Sequence, residues 1–87
     1  MHFVYILKSK QKNNWSYVGS TSNLQQRIKD HNAGKTVSTK AYSPLYLVYS
    51  EQYKTKEEAY KKELYFKSTK GRREKAKIIE KYHSEIV

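Results

Sequence analysis

Five residues of this chain combine types and spacing that suit a single reaction. Two tyrosines stand in short β-forming stretches, Phe3-Val4-Tyr5 and Tyr17-Val18-Gly19. Arg27 and His31 follow at helical spacing, and Glu63 comes later among apolar neighbours. Hydrolysis of a phosphodiester needs an activated water, neutralised charge on the scissile phosphate and help for the departing oxygen. Two-metal nucleases meet these needs with several clustered carboxylates that hold a pair of ions. Carboxylates are scarce here outside the last two predicted helices, and Glu63 is the one that periodicity turns inward. One carboxylate plus waters suits a single Mg²⁺ (or Mn²⁺), since Mg²⁺ keeps several waters when bound. Cations and phenols must supply the rest, and the chain carries both.

Each of the five has a plainer role open to it. Tyr5 and Tyr17 are good strand aromatics. Arg27 alone suits a protein surface, and His31 suits the C-terminal end of a helix, where it meets the dipole. Glu63 stands four residues before Lys67, the spacing of an ordinary helical ion pair. The set as a whole favours a site.

The elements that must position these residues follow from patterning. Residues 2–8 contain a continuous apolar run of β-formers, and residues 15–20 form a second short strand after a polar loop. Strands so close in sequence pair most simply as an antiparallel hairpin. Thr21 or Ser22 caps a helix that starts near Asn23 and stops at Gly34, a natural C′ residue. On that helix Leu24, Arg27, Ile28 and His31 share one face. Residues 35–43 read as a loop of small and basic residues, and 45–53 as a tyrosine-rich third strand. Thr55-Lys56-Glu57-Glu58 is a capping box. The helix it opens runs to about Ser68, with Ala59, Tyr60, Glu63, Phe66 and Lys67 expected on its inward face. Gly71 breaks the path, and a third helix over 72–83 carries Ala76, Ile79 and Tyr82 as its stripe. The expected fold is a small α+β domain over residues 1–87, a three-stranded antiparallel sheet flanked by three helices in the order β-β-α-β-α-α.

Composition narrows the function classes. Eighty-seven residues support one small core. No apolar run reaches about 18 residues and no basic-then-apolar leader is evident, so neither a membrane span nor secretion is expected. Zero cysteines exclude disulfides, thiolate zinc sites and cysteine nucleophiles, and fit a cytoplasmic setting. Eighteen Lys and Arg against eight Asp and Glu give a net charge of +10, the footprint of a polyanion binder. Up to Tyr53 the basic residues are Lys8, Lys10, Lys12, Arg27, Lys29, Lys35 and Lys40, opposed only by Asp30 and Glu51. That half is the better candidate for a phosphate-facing surface. Trp15 reads as a hairpin or rim aromatic, with stacking on a base as its functional alternative.

The two tyrosine motifs resemble the halves of the GIY-YIG nuclease signature. Arg27, His31 and Glu63 fall where that family places its further active-site residues. The likeness continues through Leu24-Gln25-Gln26-Arg27, His31-Asn32, Ser38-Thr39-Lys40 before Pro44, and Ala59 through Glu63 to Lys67. It covers about the first seventy residues and is closest to small stand-alone GIY-YIG proteins, similar to the amino-terminal domain of the nuclease component of excinuclease ABC. The resemblance implies that Tyr5 helps activate the attacking water, as or near the general base. Tyr17 positions the water or the phosphate, and Gly19 allows close backbone approach. Arg27 binds the scissile phosphate, His31 orients a tyrosine hydroxyl or relays a proton, and Glu63 holds one Mg²⁺. Gly19, Lys35, Lys40 and Lys67 are the expected substrate contacts.

Two departures stand out. Phe3 replaces the glycine of the first motif, and no asparagine follows Asn32 although many catalytic members carry one near the metal. Lys67 and Ser68 are the candidates for that role. The implied activity is Mg²⁺-dependent cutting of DNA (branched, nicked or single-stranded), structure-directed or weakly sequence-specific, in repair or recombination. RNA is an alternative substrate. The rival expectations are a nucleic-acid-binding protein that keeps the fold with weak or no turnover, and a subunit that docks on a nucleoprotein partner.

Overall fold

The apolar run near the N-terminus becomes β1 (His2–Ser9), the middle strand of a three-stranded sheet in the order β2-β1-β3. The structure is a computed structural model and describes residues 1–85. Both faces of β1 are covered, which is why its sequence is continuously apolar and does not alternate. Val4 and Ile6 bury one face, and Tyr5 and Leu7 the other. β2 (Ser16–Thr21) pairs antiparallel on one side, with Tyr5 opposite Gly19 and Ile6 opposite Val18. β3 (Leu45–Tyr53) pairs antiparallel on the other, with the bounds expected from its sequence. Its register slips between Ile6 and Leu7, leaving Val48 as the extra residue of a bulge.

Helices close both faces. The Tyr5 face takes α1 (Leu24–Asn32), whose Leu24 and Ile28 pack on Tyr5, Leu7 and Leu45. The α+β class and the antiparallel sheet agree with the sequence reading. A further helix does not: residues Val37–Lys40 form one turn, α2, where a loop was expected. Val37 is 92% exposed, so the turn has no amphipathic pattern to betray it. It is held instead by Thr39, which is fully buried beneath it. The opposite face of the sheet takes α3 (Lys56–Lys67) and α4 (Thr69–Glu85), which bring Phe66, Ile78, Ile79 and Tyr82 onto Val4, Ile6, Val18 and Val48.

The ends of α1 explain how it is fixed. Asn23, not Thr21 or Ser22, is the N-cap, accepting from the Gln26 N–H. Thr21 shapes the preceding turn by accepting from the Asn23 N–H. Gly34 closes the helix at φ +78°, as expected of a C′ glycine. The Gly34 and Lys35 N–H groups then satisfy the His31 and Asp30 carbonyls. Asn32 bolts this end to the sheet: its amide donates to the Leu45 carbonyl at 3.1 Å and accepts from the Leu45 N–H at 2.7 Å.

On α3 the N-cap half of the capping box forms, with Thr55 accepting from the Glu58 N–H, and its hydroxyl donates to the Glu58 carboxylate. Its inward face is narrower than expected. Ala59 and Phe66 are buried, Lys62 and Glu63 half-buried, whereas Tyr60 is 52% exposed and Lys67 faces solvent. Lys62 lies over the Tyr65 and Phe66 rings and pairs with Glu74 at 3.2 Å, joining α3 to α4. Gly71 does not break the chain. It is buried in the first turn of α4, where a β-carbon would sit 1.7 Å from the Tyr65 carbonyl oxygen. The glycine marks a close helix approach, so α4 begins earlier than its pattern suggests. Its stripe is Ile78, Ile79 and Tyr82, with Ala76 exposed. Among the described residues, no helix is long and apolar enough to cross a membrane.

Candidate active site

Tyr5 is 1% exposed and points across β2, over Gly19. A β-carbon at position 19 would lie 2.5 Å from the Tyr5 hydroxyl, so the glycine gives the phenol its path. The hydroxyl meets His31 Nε2 at 2.9 Å. His31, fully buried on α1, meets the Thr39 hydroxyl through Nδ1 at 2.8 Å. Thr39 in turn donates to the Thr36 carbonyl at 3.4 Å. Tyr17 closes the other side of the imidazole, its ring edge-on at 5.1 Å between centroids.

Arg27 lies one helical turn before His31 and sets its guanidinium beside the Tyr5 and Tyr17 hydroxyls. Burial pushes the Tyr5 phenol up to about 12, against the opposing pull of Arg27. Burial and the Arg27 charge together hold the His31 imidazole below its ordinary value. At neutral pH the pair is therefore a protonated phenol against a neutral imidazole.

Glu63 approaches from the opposite layer. It sits on α3 and reaches the outer edge of the sheet at Ser20, which donates its hydroxyl proton to Oε1 at 2.9 Å. Ser20 follows Gly19 on edge strand β2, so the site straddles that edge: Tyr5, Tyr17, Arg27 and His31 on one side, Glu63 on the other. The Glu63 charge adds a minor push to the Tyr5 phenol, after burial and Tyr17. Lys67 caps the second carboxylate oxygen at 2.7 Å. The structure thus brings Tyr5, Tyr17, Arg27 and His31 together, with Glu63 on the other side of the β2 edge at Ser20.

A family model for the GIY-YIG catalytic domain matches residues 1–82. The chain belongs to the GIY-YIG family. Among its relatives is the UPF0213 protein YazA of Bacillus subtilis, 40% identical over 95% of this chain and 83% of that protein. A UPF0213 protein of Staphylococcus haemolyticus is 45% identical over 91% of this chain and 94% of its own length. One from Clostridium perfringens is 39% identical over 99% and 98%. These are small stand-alone GIY-YIG proteins, and no solved structure matches.

The remaining residues of this GIY-YIG domain divide. Lys67 is engaged with Glu63, and Lys35 pairs with Asp30 at 3.6 Å. Lys40 is exposed, its aliphatic stem lying against Gly34. Lys8 leaves the expected basic surface altogether: it is 5% exposed, donates to the Asn13 carbonyl, and is drawn below its usual value by burial. Ser68, named with Lys67 for the role of the late asparagine, donates to the Tyr65 carbonyl and accepts from the Gly71 N–H between α3 and α4. Trp15 stacks on Tyr42 at 4.3 Å and extends the aromatic wall beyond Tyr17.

Among the described residues no three His, Cys, Asp or Glu gather as a metal cage. The carboxylate that would hold a single hydrated ion is Glu63, whose oxygens are here taken by the Ser20 hydroxyl and by Lys67. Ser20, Thr39 and Asn32 are the residues that sequence reasoning left without a role. Ser20 adjoins the second tyrosine motif, and alternation along β2, which sets it on the Val18 face beneath α3, was the signal that could have found it. Thr39 had no such signal, since its helix was invisible in the pattern.

Proposed function

We propose that this GIY-YIG domain is a cytoplasmic Mg²⁺-dependent endonuclease that hydrolyses DNA phosphodiester bonds, structure-directed or weakly sequence-specific, in repair or recombination. The observation that carries the reading is the 2.9 Å contact between the Tyr5 hydroxyl and His31 Nε2, beside Arg27. A phenol near 12 does not ionise alone at neutral pH. Coupled to a neutral imidazole it need not: its oxygen takes a proton from the attacking water while its own proton passes to His31 Nε2. The resulting hydroxide attacks phosphorus, and the departing oxygen takes a proton from solvent. Arg27 shifts from the tyrosine hydroxyls onto the scissile phosphate and balances its growing charge. That shift also uncovers Tyr5 to water. Tyr17 orients the phosphate or the water, and Lys40 and Lys67 hold flanking phosphates. A divalent ion on Glu63 would neutralise the phosphate and the departing oxygen when bound. The net charge of +10 supports a polyanionic substrate.

The test is incubation of the protein with branched, nicked and single-stranded DNA in Mg²⁺. Cutting is expected, and Arg27→Ala or Glu63→Ala should abolish it. Wild-type cutting no greater than either variant's would overturn the assignment.

One observation favours a second reading. Tyr5 is 1% exposed, closed beneath its neighbours, as a structural residue would be. A nucleic-acid-binding protein of this fold without turnover predicts salt-sensitive binding that Glu63→Ala leaves intact.

A further inference from the structure

Two independent contacts bear on which nitrogen of His31 holds the proton. The first is on the Nδ1 side. The Thr39 hydroxyl has one proton and two acceptors in reach, His31 Nδ1 at 2.8 Å and the Thr36 carbonyl at 3.4 Å. Thr36 and Thr39 are locked in that relation by the single turn of α2, where the Thr39 and Lys40 N–H groups also reach the Thr36 carbonyl. With that carbonyl as a second acceptor for its proton, the Thr39 oxygen is able to accept from Nδ1 at 2.8 Å.

The second contact is on the Nε2 side. Arg27 beside the Tyr5 hydroxyl offers only donors. The Tyr5 proton therefore needs an acceptor elsewhere, and His31 Nε2 at 2.9 Å is its partner. An Nε2–H tautomer would aim two donors at the Tyr5 oxygen and strand its proton in a pocket where Tyr5 is 1% exposed.

We infer that Thr39 is a positioning residue: it fixes His31 as the Nδ1–H tautomer, so that the Nε2 lone pair faces Tyr5. The chain runs Tyr5 O–H to Nε2, Nδ1–H to Thr39, Thr39 O–H to the Thr36 carbonyl, each proton with one acceptor. In the endonuclease reading, on which the catalytic use of this arrangement rests, His31 is thereby held as a proton acceptor. A short helix with no packing stripe of its own thus acquires a purpose. It delivers one buried hydroxyl to the back of the imidazole, much as buried partners fix the tautomer of metal-ligating histidines.

The deciding measurement is long-range ¹H–¹⁵N correlation of the histidine rings in the uniformly ¹⁵N-labelled full chain, with His31 assigned by loss of its signals in His31→Gln. Wild type should show a pyrrole-type Nδ1 and a pyridine-type Nε2 at neutral pH. Thr39→Val, which keeps the shape and removes the hydroxyl, should shift His31 toward the other tautomer, and Thr39→Ser should restore it. With DNA, Thr39→Val should lower kcat by about 10- to 100-fold, the range usual for partners of this kind. KM should hold, and Thr39→Ser should recover most of the rate. A wild-type His31 protonated on Nε2, or a Thr39→Val protein that folds with its tautomer unchanged, overturns the assignment. If Thr39→Val does not fold, the wild-type spectrum and Thr39→Ser still decide. An Nδ1–H tautomer in a protein that cuts no DNA upholds the positioning role of Thr39 and removes the endonuclease reading alone.

Discussion

Gly19 faces Tyr5 across the β1–β2 ladder, and the Tyr5 hydroxyl occupies the place a β-carbon would take. The contact would be 2.5 Å at the hydroxyl and 2.7 Å at the ring carbon that bears it. A free tyrosine could swing away cheaply. This one is pinned by His31 at its tip and is enclosed by Tyr17 and Arg27, so it cannot. Gly19→Ala should therefore destabilise the fold by about 1–3 kcal/mol, the usual cost of overpacking. It should also displace Tyr5 from His31. Urea unfolding measures the first effect, and the His31 ring signals the second; an unchanged unfolding midpoint would contradict both.

Gly71 poses a contest between propensity and packing. Within a helix, Gly→Ala should stabilise by about 1 kcal/mol. At position 71 the new β-carbon would fall 1.7 Å from the Tyr65 carbonyl, backbone that cannot give without moving α4 off α3. The steric term wins. A loss of about 3 kcal/mol or more is expected, seen as a large drop in Tm, with Ala76→Gly on the exposed face of the same helix costing only about 1 kcal/mol.

These two glycines show what is legible in the sequence and what is not. The strand bounds of β3, the capping box at Thr55 and the C′ glycine at position 34 are local features, and local chemistry announces them. Arg27, His31 and Glu63 stand out because polar types are unusual on otherwise apolar faces, whereas Tyr5 and Tyr17 are marked only by their short motifs. Gly71 misleads because a glycine that relieves a tertiary contact has the same letter as one that ends a helix. The α2 turn is hidden for a related reason: it is held by Thr39 buried against His31, a contact between residues eight apart that no periodicity records. Lys8 reads as surface charge, yet its position on a strand covered on both faces buries it.

The depressed His31 value has a consequence for stability. The folded protein keeps the imidazole neutral, because burial and Arg27 oppose its charging. The unfolded chain takes up that proton near its ordinary value of about 6.5. The contribution of His31 is thus fully present above about pH 6.5 and is lost as pH falls toward the lower folded value. The slope is at most about 1.4 kcal/mol per pH unit. Urea midpoints between pH 8 and 5 should fall for wild type more steeply than for His31→Gln, which starts less stable but has no imidazole to charge. Parallel curves would mean that His31 is not the group held neutral.

Lys67 separates the two cations that Glu63 can serve. In the free protein its ammonium lies 2.7 Å from Oε2, while Ser20 holds Oε1. Lys67 is half-exposed, so the pair itself contributes little to stability, about 0.3–0.5 kcal/mol for an i,i+4 pair. Its effect on a competing ion is larger in kind: in the proposed site Mg²⁺ would have to displace Lys67 or share the carboxylate with it. Lys67→Ala should therefore tighten Mn²⁺ binding, read by calorimetry or by electron paramagnetic resonance of the free ion, and Glu63→Gln should abolish it. DNA binding should move the other way. If the released ammonium holds a phosphate, its removal weakens binding and reduces the slope of log affinity against log salt by about 0.9. Tighter Mn²⁺ binding together with a shallower salt slope places Lys67 on the carboxylate in the free protein and on the phosphate in the complex. Weaker Mn²⁺ binding in Lys67→Ala would mean instead that the lysine orients Glu63 for the ion, and Ser20→Ala should then weaken it in the same way.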